Sequence, residues 1–513
     1  MPDPLNVLFV SAEAEPLVKV GGLGDVAGSL PRALRSLPLD DAGGRAIDVR
    51  LVIPFHSVIT HRLPDLQLIG NFQVPHPSGP IPARVFMTTI NQMPVYLIEG
   101  PPILSGTTVY STNPIEDGEK YIFFSLASLE LATRLDWKPD ILHFNDWHTA
   151  IAAYELANRR KTSSSYARIK SVLSIHNLPF MGGGAETVVR SFGIPPATDD
   201  RLPVWARSFP LPLGLLAADH IIAVSPTYAQ EILAPEFGCG LQDFLKTRSD
   251  CISGILNGID EKGWDPSTDT ALAGNFSVSE LDQRLINKKS LLEEFQLPYS
   301  PNIPLLIMIG RIDNQKGMDL AIEGLRMVTD QPWQAILLGT GDPLLESAAR
   351  SLEVELPDRV RAAIRFDLLL SHRMYAGGDM LLMPSRYEPC GLAQMIAMRY
   401  GCVPVARETG GLKDTIRDNR EPGGGNGYLF KEASPAAFTV ALLRALAMYP
   451  NRPAWQAMQI RGMTQDFSWL HSSGLYLDLY RKLLPALLGE GEEKKAPKAK
   501  AKPAAEVEPP KAE

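Results

Sequence analysis

In this 513-residue chain, several short segments combine charge, glycine and position in ways that suit phosphate and sugar chemistry. The first is Lys19-Val20-Gly21-Gly22-Leu23-Gly24-Asp25, between an apolar run and a helix expected to start near Val26. Glycines let backbone amides approach a ligand closely, and a helix N-terminus favours negative charge. Lys19 adds a mobile cation suited to a phosphate oxygen. The spacing matches neither a Walker A loop nor Gly-x-Gly-x-x-Gly, so a plain glycine-rich turn stays open beside a binding loop. The second segment, Gly310-Arg311-Ile312-Asp313-Asn314-Gln315-Lys316-Gly317, also follows an apolar run. Arg311 can grip a phosphate with two parallel bonds and Lys316 can neutralise another oxygen as a point charge. A departing nucleoside diphosphate needs that neutralisation. The bland alternative is a solvated basic turn.

The third segment, Pro384-Ser385-Arg386-Tyr387-Glu388-Pro389-Cys390-Gly391-Leu392, places a carboxylate at a strand-to-helix turn, where it can accept hydrogen bonds from sugar hydroxyls. Thr409-Gly410-Gly411-Leu412 follows another strand candidate and should open a helix toward the same region. Cys390 has no base at motif spacing, which favours a structural thiol. The fourth segment, His143-Phe144-Asn145-Asp146-Trp147-His148, is followed later by His176-Asn177. His143 and His148 lack the helical i, i+4 spacing of a metal pair, so no metal is expected. Asp-x-Asp, a divalent-ion motif of other transferases, is absent from the sequence, and Arg and Lys are left to hold the diphosphate.

Positioning these segments requires strands whose ends point one way. Short β-branched or Leu-rich runs alternate with amphipathic stretches, the pattern of βαβ units around a mostly parallel sheet. Strands are expected at 7–12, 49–54, 95–99, 141–145, 171–176 and 220–225, and a helix at 119–135. The composition turns loop-like over 257–301, and a boundary is placed near Pro266. Strands then resume at 305–309, 334–338, 363–366, 380–383 and 403–406. Ser434-Pro435 reads as an N-cap followed by proline, opening a helix through Met448. The fold class is α/β: two Rossmann-like halves facing across a deep cleft, with ligands beyond the carboxyl ends of the strands. The domains are set at 1–265 and 266–465, a returning helix at 466–488, and a disordered Lys/Glu/Ala/Pro tail at 489–513.

Composition bounds the rest. A hydrophobic fraction of 45%, a charged fraction of 21% and a net charge of -8 fit a globular protein and argue against nucleic acid as the main partner. Four cysteines without a Cys-x-x-Cys pair suit a reducing compartment. No signal peptide or membrane span is legible, so a cytoplasmic location is expected.

Taken together, Lys19–Asp25, Asp219–Ala229, Leu256–Asp260, Arg311–Asp319, Pro384–Leu392 and Tyr400–Thr415 resemble the bacterial and plant glycogen/starch synthase family, from Val7 to about Leu484. The resemblance implies a GT-B architecture and retaining transfer of glucose from ADP-glucose to the non-reducing end of an α-1,4-glucan, with neither metal nor cofactor. By the same resemblance, Arg311 and Lys316 hold the leaving diphosphate, Glu388 binds the transferred glucose, and Asp146 and His176 face the glucosyl unit. Lys19, Gly21 and Gly22 meet the donor, Asp25 and Asn257 line its pocket, and the backbone at Thr409, Gly410 and Gly411 caps the phosphate. Ile396 stands where some related transferases carry a ribose-reading Glu.

The first half departs from the family pattern. Phe180-Met181 replaces a usual Tyr-Gln, Pro210-Leu211-Pro212 lacks a usual Lys, and Gly118 and Lys120 stand where Asn and Arg are common. A low-turnover glucan- or nucleotide-binding homologue, or a retaining transferase with another donor or acceptor, therefore remains an alternative.

Overall fold

The computed structural model describes residues 3–39, 45–60 and 62–484. The expected tail at 489–513 lies outside them. The described residues hold fifteen strands: β1 Leu5–Val10, β2 Ile47–Pro54, β3 Gln67–Val74, β4 Ile81–Ile90, β5 Met93–Glu99, β6 Ile141–Asn145, β7 Lys170–Ile175, β8 His220–Ala223, β9 Ile252–Gly254, β10 Leu305–Ile309, β11 Gln334–Gly339, β12 Val360–Ile364, β13 Met380–Met383, β14 Val403–Arg407 and β15 Tyr428–Phe430. They form two sheets, ordered β3-β4-β5-β2-β1-β6-β7-β8-β9 and β12-β11-β10-β13-β14-β15. The second sheet is parallel throughout; the first is parallel except for the antiparallel pairs β3–β4 and β4–β5.

Stripped of the β3–β4 hairpin and β9, the first sheet runs third-second-first-fourth-fifth-sixth, and the second sheet repeats that order. This is the doubly wound Rossmann arrangement, whose crevice opens where the strand order reverses. The reversals fall between β1 and β6 and between β10 and β13. Their central strands are near-continuous apolar runs, buried on both faces because helices cover both sides.

Helix starts follow local chemistry. Ser434 accepts from the Ala437 amide ahead of the helix Pro435–Met448, and Ser225 accepts from Tyr228 ahead of Pro226–Glu231. The first glycine loop differs from expectation, because its helix runs over Gly22–Arg35. Gly22 and Asp25 thus lie in the first turn, since Gly21 already has the extended backbone that an N-cap takes. The stretch 257–301 is not wholly loop either: it contains a helix at Arg284–Glu294, where Leu291 and Leu292 are buried.

The last described helix, Trp469–Leu483, packs against the helix Gly22–Arg35 and adds Trp469, Tyr476, Leu477 and Tyr480 to the core beneath β1 and β2. Two chain segments cross between the sheets side by side. The Ile259 amide donates to the Phe467 carbonyl at 2.8 Å, and Ile259 forms a bridge with Ser468.

Candidate functional site

The expected residues follow the carboxyl ends of strands at and beside the two reversals: β1, β6, β7 and β9 in the first sheet, β10, β13 and β14 in the second. Beyond β10 and β13, Lys316 Nζ lies 2.8 and 2.7 Å from the two oxygens of Glu388. Glu388 is buried and also accepts from the Ser385 hydroxyl at 3.0 Å. Arg311 is half exposed and held by Asp313 at 3.0 Å and Gln315 at 2.9 Å. A carboxylate beside a lysine in a partly desolvated crevice makes a strong, oriented dipole.

Beyond β6 and β7 the first lobe presents Asp146 and His176. Asp146 caps the helix Trp147–Arg160 with φ 53° and ψ -172°, a region that non-glycine residues rarely occupy and that costs about 1–3 kcal/mol. The distortion turns its Oδ1 onto the His176 amide at 2.7 Å and the Asn177 amide at 3.4 Å. Burial pushes the Asp146 carboxyl up to about 7, against the pull of those two amides. Burial pulls His176 down to about 4, so its ring is neutral near pH 7. Asn145 donates its amide NH₂ to Val10, which leaves Asn145 Oδ1 as the acceptor for His176 Nε2–H at 2.9 Å. That tautomer is assigned from the hydrogen-bond network, and it leaves Nδ1 as an acceptor.

After β1, Lys19 Nζ contacts Asp25 at 2.6 Å and Glu15 at 3.3 Å. Burial opposes the Lys19 charge, but the two carboxylates outweigh it and raise the lysine. Burial pushes Asp25 up to about 6 despite that lysine. Behind them lies Glu13, which sequence reasoning missed. Its buried carboxylate accepts from the amides of Val20 and Gly21 and bonds the Tyr110 side chain, tying the glycine loop down. A β-carbon at Gly22 would meet nothing within 4 Å, so that backbone faces open space.

A cavity of about 280 Å³ joins the lobes here, lined by Lys19, Asp25 and Ser29 from one and by Leu368, Leu392 and Ile396 from the other. Ile396 therefore faces the cavity, as the missing Glu would have. Asn257 is buried with its Oδ1 unpartnered, and its backbone N–H bonds the Cys390 thiol close to Glu388. The Gly411 amide donates to the Glu388 carbonyl at 3.0 Å. A β-carbon at Gly410 or Gly411 would fall 1.9 or 2.0 Å from the carbonyls of Glu388 and Cys390, so only glycine fits. The Thr409 hydroxyl and the Gly410 amide do not point into open cleft. Both donate to Glu231 of the first lobe, at 2.8 and 3.0 Å.

The lobes touch directly at the site. Asn177 approaches Gln315 at 3.5 Å and bonds Tyr387, and Thr227 bonds Asp414 at 2.8 and 2.6 Å. Through the Asn177–Gln315 contact the structure sets Asp146 and His176 against the segment that carries Arg311, Lys316 and, beside Tyr387, Glu388, while Lys19 and Asp25 line the neighbouring cavity. His143 uses both ring nitrogens on Tyr480 and Ser174. His148 is buried against Tyr110, Tyr121 and Trp147, so the two histidines share no ligand position.

The family of starch synthase catalytic domains matches residues 6–247, and the family of group 1 glycosyl transferases matches residues 292–458. A glycogen synthase of Anaeromyxobacter sp. (strain Fw109-5) is 39% identical over 490 residues, 93% of this chain and 99% of that one. The chain belongs to the glycogen/starch synthase family. Another member, a glycogen synthase of Lactiplantibacillus plantarum, is 38% identical over 487 residues, covering 93% of this chain and 99% of its own. Among solved structures, the catalytic domain of starch synthase IV from Arabidopsis thaliana, bound to ADP and acarbose, superposes with a TM-score of 0.84 at 31% identity, covering 94% of this chain and all of that one. A sucrose-phosphate synthase from Thermosynechococcus elongatus shares the fold at a TM-score of 0.60 and 18% identity. As a synthase of this family the chain is a glycosyltransferase of GT-B architecture.

Two of the departures from the family pattern, Phe180-Met181 and Pro210-Leu211-Pro212, adjoin each other, and Gly118 and Lys120 pack on other residues. A β-carbon at Gly118 would meet the Ala185 side chain at 2.9 Å, and one at Gly182 would meet Trp147 at 2.7 Å and Pro210 at 2.8 Å. The Leu211 amide donates to the Met181 carbonyl at 3.1 Å. Lys120 is buried and donates to the Thr108 and Val109 carbonyls at 3.0 and 2.9 Å and to Asp117 at 3.1 Å. It anchors the loop that delivers Tyr110 to Glu13.

Proposed function

We propose that this glycogen synthase transfers glucose from ADP-glucose to the non-reducing 4-hydroxyl of an α-1,4-glucan with retention of configuration, in the cytoplasm and without metal or cofactor. The observation that carries this reading is the Lys316–Glu388 pair, placed across the Asn177–Gln315 contact from Asp146 and His176. Glu388 accepts from hydroxyls of the transferred glucose, while Lys316 and Arg311 neutralise the diphosphate as the anomeric C–O bond breaks. The acceptor hydroxyl attacks from the same face, and its proton passes to a phosphate oxygen of the leaving ADP. No protein nucleophile is required. His176 offers its ring nitrogen and backbone carbonyl as acceptors, positioned by Asp146. Lys19 and the open backbone at Gly22, held by the Gly21–Glu13 bond, approach the diphosphate, and the cavity lined by Asp25, Leu392 and Ile396 takes the nucleoside. On this reading 1–265 is the acceptor lobe, 266–465 the donor lobe and 466–488 the returning segment.

The test is incubation of the full chain with radiolabelled ADP-, UDP- or GDP-glucose and glycogen, followed by α-glucosidase digestion of the product. Incorporation that is strongest from ADP-glucose and fully digestible supports the reading. Tight ADP binding without incorporation would replace it with a nucleotide-binding homologue.

A further inference from the structure

The loop leaving β7 carries Asn177 into the cleft and then turns outward, with the Phe180 amide bonded to the Asn177 carbonyl at 3.1 Å. Phe180 is 52% exposed. The same loop runs over Phe209, whose ring lies 3.3 Å from a β-carbon built at Gly183. Trp205 meets Phe209 edge-on at 5.5 Å and is itself 44% exposed, beside Val204 at 79%. On its far side Trp205 abuts Gly240, where a β-carbon would sit 3.1 Å from the indole. Cys239, the preceding residue, is an electrostatic neighbour of Tyr387, which adjoins Glu388 and bonds Asn177. The loop from Asn177 through Gly183 therefore connects the catalytic crevice to the Phe209–Trp205 pair.

Large exposed apolar groups gathered in this way mark a binding surface. Three side chains fall far short of the roughly 800 Å² per partner that a stable protein interface buries. A glucan chain suits them better. Each pyranose presents a flat C–H face that covers an aromatic ring, with hydroxyls at its rim left to water. We propose that Trp205, Val204 and Phe180 form an acceptor subsite that holds the α-1,4-glucan several units behind the non-reducing end, which enters the crevice at Asn177. This rests on the glucosyltransferase reading above, and it assigns acceptor-length specificity to side chains outside the reacting centre.

The test compares Trp205→Ala with the unmodified chain on maltose, maltoheptaose and glycogen at saturating ADP-glucose. The expected result is a rise of about tenfold in KM for glycogen and maltoheptaose, the scale of one lost aromatic anchor. The KM for maltose, the KM for ADP-glucose and kcat stay unchanged, because maltose does not reach the strip. Val204→Glu, at a position open to solvent, should give the same split, and it decides the matter if Trp205→Ala does not fold. An equal loss on maltose and glycogen, or an unchanged KM for glycogen in both variants, overturns the subsite. If the unmodified chain transfers no glucose at all, the function reading fails by itself. Co-sedimentation with glycogen then judges the strip, with weaker binding of Trp205→Ala supporting it and equal binding refuting it.

Discussion

In the second lobe the acidic and basic side chains at the site are paired with one another, Lys316 with Glu388, Arg311 with Asp313, Arg386 with Asp319. In the first lobe the comparable positions are buried groups pushed toward neutrality, with Asp146 raised to about 7 and His176 lowered to about 4. The histidines His56, His143, His148 and His220 are likewise pulled down by burial. The contrast follows the chemistry each side handles. A leaving diphosphate demands positive charge, whereas glucose is neutral and is held by hydrogen bonds of fixed direction. On the proposed reading, Lys316 and Arg311 of the second lobe stabilise charge that develops during the reaction, while Asp146 of the first lobe fixes the geometry of His176 and Asn177 before it begins.

That division can be broken experimentally. The largest effect should come from Lys316→Ala, with Arg311→Ala close behind: turnover falls by about 10²–10⁴-fold, because each removes charge from the leaving group. Steady-state rates with ADP-glucose and glycogen check this, and a near-normal rate for either would remove the charge-stabilising role from the second lobe. In the first lobe, Asp146→Ala frees the amides of His176 and Asn177 and should cut kcat by about 10²-fold. Asp146→Asn keeps an acceptor oxygen and should lose less. Equal losses would mean that the charge, and not the position, of Asp146 matters.

Acid should also separate the lobes. A histidine whose pKa is lowered on folding stabilises the fold above its unfolded value near 6.5, and that contribution is lost as pH falls through the folded value. Asp146 and Asp25, raised to about 7 and about 6, act in the opposite sense, favouring the fold below about 3.8 and less as pH rises. Burial raises Glu13, Asp117 and Glu231 in the same sense, but the five histidines are displaced further, so the first lobe should lose stability between pH 6.5 and 4. Hydrogen exchange at pH 7.5 and 5 should show protection falling around β1, β6 and β7 before β10 and β13. The smallest effect is the most local: Gly118→Asn should destabilise by about 1–3 kcal/mol through the clash with Ala185, and Ala185→Gly should recover part of it. Thermal melts of the single and double variants check the pairing.

Much of the frame was legible because parallel strands buried on both faces announce themselves as apolar runs. Ile141–Asn145, Leu305–Ile309 and Met380–Met383 stand where the sequence places them, as does the helix Pro435–Met448 behind its Ser-Pro start. The hairpin β3–β4 was not, because Gln67–Val74 is an edge strand with mostly exposed, mixed side chains and no core stripe to read. Within the site, motif residues next to strand ends could be named in advance. Glu13, Gln315 and Glu231 could not be given their partners, since each acts through contacts settled only when distant segments pack. Gly118 shows the same limit. In sequence it is an isolated departure; in the fold it is half of a fitted pair with Ala185.

The paired crossing of the chain at Ile259 and Phe467 has a mechanical consequence. One flexible tether would let the halves wander and meet at any angle. Two adjoining segments bonded to each other act like two pins of one door and restrict sliding and spinning more than a single tether would. The second half can then return to one seating after every release of product, and the opposed side chains need no search to find their places again.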